Sequence, residues 1–130
     1  MTRLLPFNDE GVHDDAGRLM SVPLYQAKAE FFKTLGHPAR IRILELLSER
    51  EYPVHELLEN IAIEPSNLSQ QLAVLRRASL VISHRQGGEV TYSISAPEVR
   101  DLLLAARQIL SGLIHVEDET ESQRPNVRAR

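Results

Sequence analysis

The stretch Glu64–Val81, EPSNLSQQLAVLRRASLV, decides how the rest of the chain is read. At about 100° per residue, Leu68, Leu72 and Leu75 fall on one stripe, the mark of a helix with a buried face. Opposite them lie Ser66, Gln70, Ala73 and Arg77, bordered by Asn67, Gln71 and Val74 on one side and by Ser69 and Arg76 on the other. Pro65 suits the first helical position, and Glu64 is expected to act as a weak N-cap. A face that only solubilises a helix carries Glu and Lys in salt-bridge spacing, yet no acidic residue lies between Pro65 and Gly88. Uncharged donors and acceptors suit base edges in a major groove, and Arg76, Arg77 and Arg85 suit phosphates. Taken alone, Asn67 and Gln70 also fit plain polar surface, so the neighbouring elements have to decide.

Upstream, LYQAKAEFFKTL places Leu24, Ala27, Phe31, Phe32 and Leu35 at helical spacing, and Gly36 stops that first helix. Pro38 starts a second helix through Ser48, with Ile41, Ile43, Leu44, Leu46 and Leu47 giving it a broad apolar face and His37 expected to cap or brace its start. Pro53 opens a short third helix, PVHELLENI, whose inward face is Val54, Leu57, Leu58 and Ile61. A tight turn at Ala62-Ile63 then leads into the helix expected over 65–78. Downstream the period changes. VISHRQ and EVTYSIS are β-branched runs joined at Gly87-Gly88, which predicts a hairpin over 81–95. Pro97 starts a last helix, whose apolar positions from Val99 through Ile114 form a stripe wider than one small core needs. The surplus implies a partner.

The expected fold is therefore mainly α with a small β-hairpin, in the order α-α-α-α-β-β-α, which is the plan of a winged helix-turn-helix. In that setting the hairpin is a wing. His84, Arg85 and Gln86 precede the glycine turn and Tyr92 lies on the returning strand, so its tip offers donors to phosphate or the minor groove. The plainer reading is a hairpin that only covers the core. Residues 1–20 and 116–130 lack periodicity and are expected to form a flexible arm and a disordered charged tail around one domain at 21–115.

The chain has 130 residues and a net charge of −3, which by itself argues against a nucleic-acid partner. The charge is unevenly spread. Asp9, Glu10, Asp14, Asp15, Glu117, Asp118, Glu119 and Glu121 concentrate the acidity in the two ends, while Ser21–Val116 holds ten basic and ten acidic residues. There is no cysteine, so disulfides, thiolate metal sites and thiol switches are excluded. No run approaches the roughly 18 apolar residues of a membrane span, and the N-terminus lacks a secretory signal, so a soluble, cytoplasmic protein with no membrane partner is expected.

Three motifs converge on one family. Leu35-Gly36-His37-Pro38-Ala39-Arg40 with Ile43-Leu44, Leu68-Ser69-Gln70-Gln71-Leu72 with Leu75, and the hairpin RQGGEVTYSIS closely resemble the ArsR/SmtB winged-helix regulators, nearest to actinobacterial members without metal-binding cysteines. The resemblance runs from about Leu24 to Leu113. It implies a homodimer that represses by occupying an inverted-repeat operator in double-stranded DNA, with half-sites about 34 Å apart or a multiple of that. It places base reading on Ser66, Asn67, Ser69, Gln70 and Gln71, and backbone or wing contacts on Arg76, Arg77, His84, Arg85, Gln86, Gly87 and Tyr92. The first and last helices would build the dimer, through Leu24, Phe31, Leu102, Leu103, Ala106, Ile109, Leu110 and Leu113. An effector of unidentified chemistry would release the DNA.

The family's metal sites are not matched. The run HELLENIAIE holds none of the thiolates that arsenic and cadmium sensors carry before the recognition helix. Of the D-x-H … H-x-x-E/H arrangement of zinc and nickel sensors, Asp101 stands at the first position, but Leu103 and Ile114 occupy the histidine positions. His115, Glu117 and Asp118 lie nearby out of register, so no metal and no cofactor are expected. No enzyme is expected either, since phosphate-binding glycine loops, H-E-x-x-H and a Ser/His/Asp grouping are all missing. Two alternatives stay open at this point: a protein-interaction module on the same fold, and a metal-responsive repressor with a non-standard His/carboxylate site.

Overall fold

The computed structural model describes residues 21–113. Among them five helices and a small sheet succeed one another: α1 (Leu24–Leu35), α2 (Pro38–Leu47), β1 (Tyr52–Pro53), α3 (Val54–Asn60), α4 (Pro65–Arg77), β2 (Val81–Gln86), β3 (Glu89–Ile94) and α5 (Glu98–Leu113). This is a mainly helical winged helix-turn-helix. The expected arm at 1–20 and tail at 116–130 lie outside the described residues.

Each helix begins where the sequence places a signal. Pro38 and Pro65 sit in the first turns of α2 and α4, where the missing N–H costs nothing. His37 caps α2, its Nδ1 accepting from the Ala39 N–H at 3.2 Å. Glu64 holds the N-cap position of α4 and its carbonyl accepts from Leu68 N–H, but its side chain makes no capping bond, contrary to the sequence expectation. The far end of α4 closes with Ser79 N–H on the Arg76 carbonyl and Leu80 N–H on the Leu75 carbonyl, with Ser79 at φ 61°. That is the Schellman arrangement, with serine where glycine is usual.

The hairpin pairs from Val81↔Ile94 to Gln86↔Glu89, which leaves Gly87-Gly88 as a two-residue loop at φ 60° and 85°. Both positive values fit a type I′ turn and explain the glycines. A third strand joins it. Tyr52↔Tyr92 and Pro53↔Thr91 pair β1 antiparallel to β3, so β3 lies at the centre of the sheet. The sequence predicts only two strands, because Pro53 is at once the end of β1 and the residue before α3. Pairing with β1 also corrects the placement of Tyr92, which is 9% exposed and belongs to the core rather than to the wing's surface.

Ile43 and Leu44 of α2, Leu57 of α3, Leu68 and Leu75 of α4 and Val81 of β2 are fully buried and bind the layers together. Phe31, Leu102 and Leu103, expected in a dimer interface, pack in part against this same core. All three are half-buried, Phe31 on α1 and Leu102 and Leu103 on α5, the helix that packs against α2. Leu24, Tyr25 and Phe32 of α1 and Leu104, Ile109, Leu110 and Leu113 of α5 remain exposed, and Ala106 is half-buried.

Candidate nucleic-acid interface

Leu68, Leu72 and Leu75 lock one face of α4 into the core, and this fixes what the other faces present. Ser66, Ser69, Gln70, Ala73, Arg76 and Arg77 are exposed, and Asn67 is half-buried. Arg76 and Arg77 stand in the last turn, where cations also favour the helix dipole. Among the described residues Arg76, Arg77 and Arg85 take part in no ion pair. Their charge is therefore available to an anionic partner.

Gln71 departs from the sequence reading, which grouped it with the base readers. It is 8% exposed, and its side-chain amide is used internally: Oε1 accepts from Arg40 Nε at 2.8 Å and Nε2 donates to Asn67 Oδ1 at 2.9 Å. The signal was present in the spacing. Leu68, Gln71, Leu72 and Leu75 form the two-edged stripe that a buried helix face requires, so the polar identity of Gln71 masked an inward position. Sequence reasoning did not single out Arg40 as part of the site. Its Nη1 donates to the Thr34 carbonyl at 2.8 Å, so one guanidinium joins the end of α1 to the middle of α4.

The wing exposes His84, Arg85, Gln86 and Gly87. Two contacts link it to α3 and to the connection before β1. Glu89 Oε2 lies 2.9 Å from His55 Nδ1 at the start of α3, and His84 Nε2 lies 3.9 Å from Glu51 Oε1. His84 thus faces an acid of its own chain while its neighbours Arg85 and Gln86 point to no described partner. Among the described residues no group of three or more His, Asp or Glu converges as metal ligands would. His115, Glu117 and Asp118 fall outside them. No described helix is long and apolar enough to cross a membrane.

Known proteins match this arrangement. Residues 37–83, which run from the N-cap of α2 to the first three residues of β2, match the family model described as bacterial regulatory protein, arsR family. The uncharacterized HTH-type transcriptional regulator Rv0081 of Mycobacterium tuberculosis is 58% identical over 95 residues, which are 72% of this chain and 83% of that protein. The chain belongs to the ArsR family. The crystal structure of Rv0081 superimposes with a TM-score of 0.65, covering 72% of this chain and 94% of that one. That of the transcriptional repressor BigR from Xylella fastidiosa is 34% identical with a TM-score of 0.62, over 65% of this chain and 87% of that one. A transcriptional repressor SmtB homolog from Synechocystis is 34% identical over 93 residues, 72% of this chain and 70% of that protein. This ArsR-family chain is thus a DNA-binding transcriptional regulator, and the family is not enzymatic.

Proposed function

We propose that this protein is a homodimeric repressor, with α4 of each protomer in the major groove of an inverted-repeat operator and the wing against the DNA backbone or minor groove. The observation that carries the reading is the outer face of α4: exposed Ser66, Ser69 and Gln70, half-buried Asn67 and two unpaired arginines, with no carboxylate from Pro65 to Gly88. Ser, Asn and Gln discriminate base edges, while Arg76, Arg77 and Arg85 supply sequence-independent attraction to phosphates. Dimerisation is supported by the exposed apolar residues of α1 and α5 and by an open cleft of about 400 Å³ between α2 and α5 lined in part by Ile41, Leu103, Leu104 and Leu110. Large exposed apolar side chains on two helices of a small domain favour a second copy.

Equilibrium binding to DNA selected by the protein from a random pool, repeated across salt concentrations, tests this. Affinity should fall linearly on a log-log plot as salt rises, and selected DNA should exceed random DNA. Equal affinity for both would instead favour a polar helix used on a protein partner. Two variants separate the roles on α4. Gln70→Ala is expected to weaken binding to the selected site by about 1–3 kcal/mol with little change on random DNA. Arg77→Ala is expected to weaken both equally and to reduce the salt slope by about one phosphate contact.

A further inference from the structure

We infer that Arg40 and Gln71 are positioning residues that fix the Asn67 amide as a hydrogen-bond donor toward the operator, so that the base pair it meets is oriented to offer an acceptor. This rests on the base-reading role proposed above. A side-chain amide can ordinarily turn end for end and present either its oxygen or its nitrogen. Here the choice is made by chemistry further inside. Arg40 donates through every nitrogen and accepts through none, so the Gln71 atom 2.8 Å from its Nε must be the oxygen. The Gln71 nitrogen is then committed to the other side, where it meets Asn67 at 2.9 Å, and the Asn67 atom that receives it must in turn be Oδ1. What remains of Asn67 is its Nδ2, which makes no hydrogen bond to a described residue.

Each element of the relay is held. Arg40 is anchored a second time through Nη1 to the Thr34 carbonyl, and Gln71 is buried beside Leu72. Reversing any one amide would set nitrogen against nitrogen or oxygen against oxygen, which costs one or both hydrogen bonds of a partly buried chain. Asn67 occupies the first turn of α4, the part of a recognition helix that reaches base edges. A donor there is satisfied by guanine O6 or N7, thymine O4 or adenine N7. Cytosine is the one base whose major-groove edge offers only a donor.

The test is operator selection by the full chain. Asn67→Ala first identifies the position it governs, as the one in each half-site that loses preference. At that position the wild type should prefer one orientation of a G·C pair over the other by about fivefold or more, the size of one hydrogen bond. Gln71→Glu keeps the partner of Arg40 but offers only acceptors, so Asn67 must turn its nitrogen inward and its oxygen outward. The preference should then reverse to the opposite orientation, while other positions stay as they were. Gln71→Leu releases Asn67 to turn either way and should leave that position indifferent. It decides the matter if the glutamate variant does not fold. An Asn67→Ala variant that relaxes no position, or an unchanged preference in both Gln71 variants, overturns the inference alone. A wild-type chain that selects no motif overturns base reading and this inference with it.

Discussion

Replacing Leu75 with alanine is expected to lower the free energy of unfolding by about 2–5 kcal/mol, a large part of the 5–15 kcal/mol typical of a domain. Leu75 is 0% exposed within the core cluster, on a helix that packs against α2 and the wing strand β2. Its carbonyl also accepts the Leu80 N–H that closes the helix, so its backbone is held in place and little collapse into the vacated volume is available. The lost contacts and the residual cavity therefore add. Chemical denaturation followed by circular dichroism measures the change, with a loss below about 1 kcal/mol showing that α4 is not held chiefly by this stripe. Binding measured where the variant is fully folded should keep the wild-type operator preference, since Leu75 touches the core and not the outer face. Gln70→Ala should do the reverse, leaving stability within about 0.5 kcal/mol while losing specificity.

That contrast rests on the division of labour proposed for α4, whose bounds and buried leucine stripe were legible in the sequence. Leucines at 68, 72 and 75, proline at 65 and the arginines at 76 and 77 each carry a local signal, and the helix begins and ends within a residue of the expectation. The hairpin was legible for the same reason, since two glycines between β-branched runs specify a turn by conformation alone. What escaped was tertiary. The spacing puts Gln71 on the inward stripe, but the partner that lets a polar amide stay there is Arg40, 31 residues earlier, which no period within α4 contains. Tyr92 is buried because a two-residue strand lies beside it, too short to leave a pattern of its own. Phe31, Leu102 and Leu103 pack in part against the chain's own core, a contact that the width of an apolar stripe does not reveal. Net charge is a poor guide here, since a total of −3 conceals an acid-free segment over residues 65–88.

Ile109→Glu is expected to convert the protein to a monomer and to weaken operator binding by about 100-fold or more. Ile109 is 62% exposed on α5, close to Leu113 at 72%, and neither belongs to the core. In an isolated chain a glutamate there is solvated and costs little. In a two-fold interface the same position occurs on both subunits, so one substitution takes two carboxylates out of water. The penalty of several kcal/mol then falls on association alone. The buried cluster draws on α1 through α5 and all three strands within one chain, so the monomer should keep its helical circular dichroism. Sedimentation equilibrium should report the 14.7 kDa of a single chain. Separated protomers must bind half-sites independently, and losing the linkage between two half-sites costs on the order of 10²–10⁴ in affinity without any change at the DNA-facing helix. The salt slope per protomer should persist, because Arg76, Arg77 and Arg85 are untouched. A variant that remains dimeric with wild-type affinity would move the interface away from the outer face of α5.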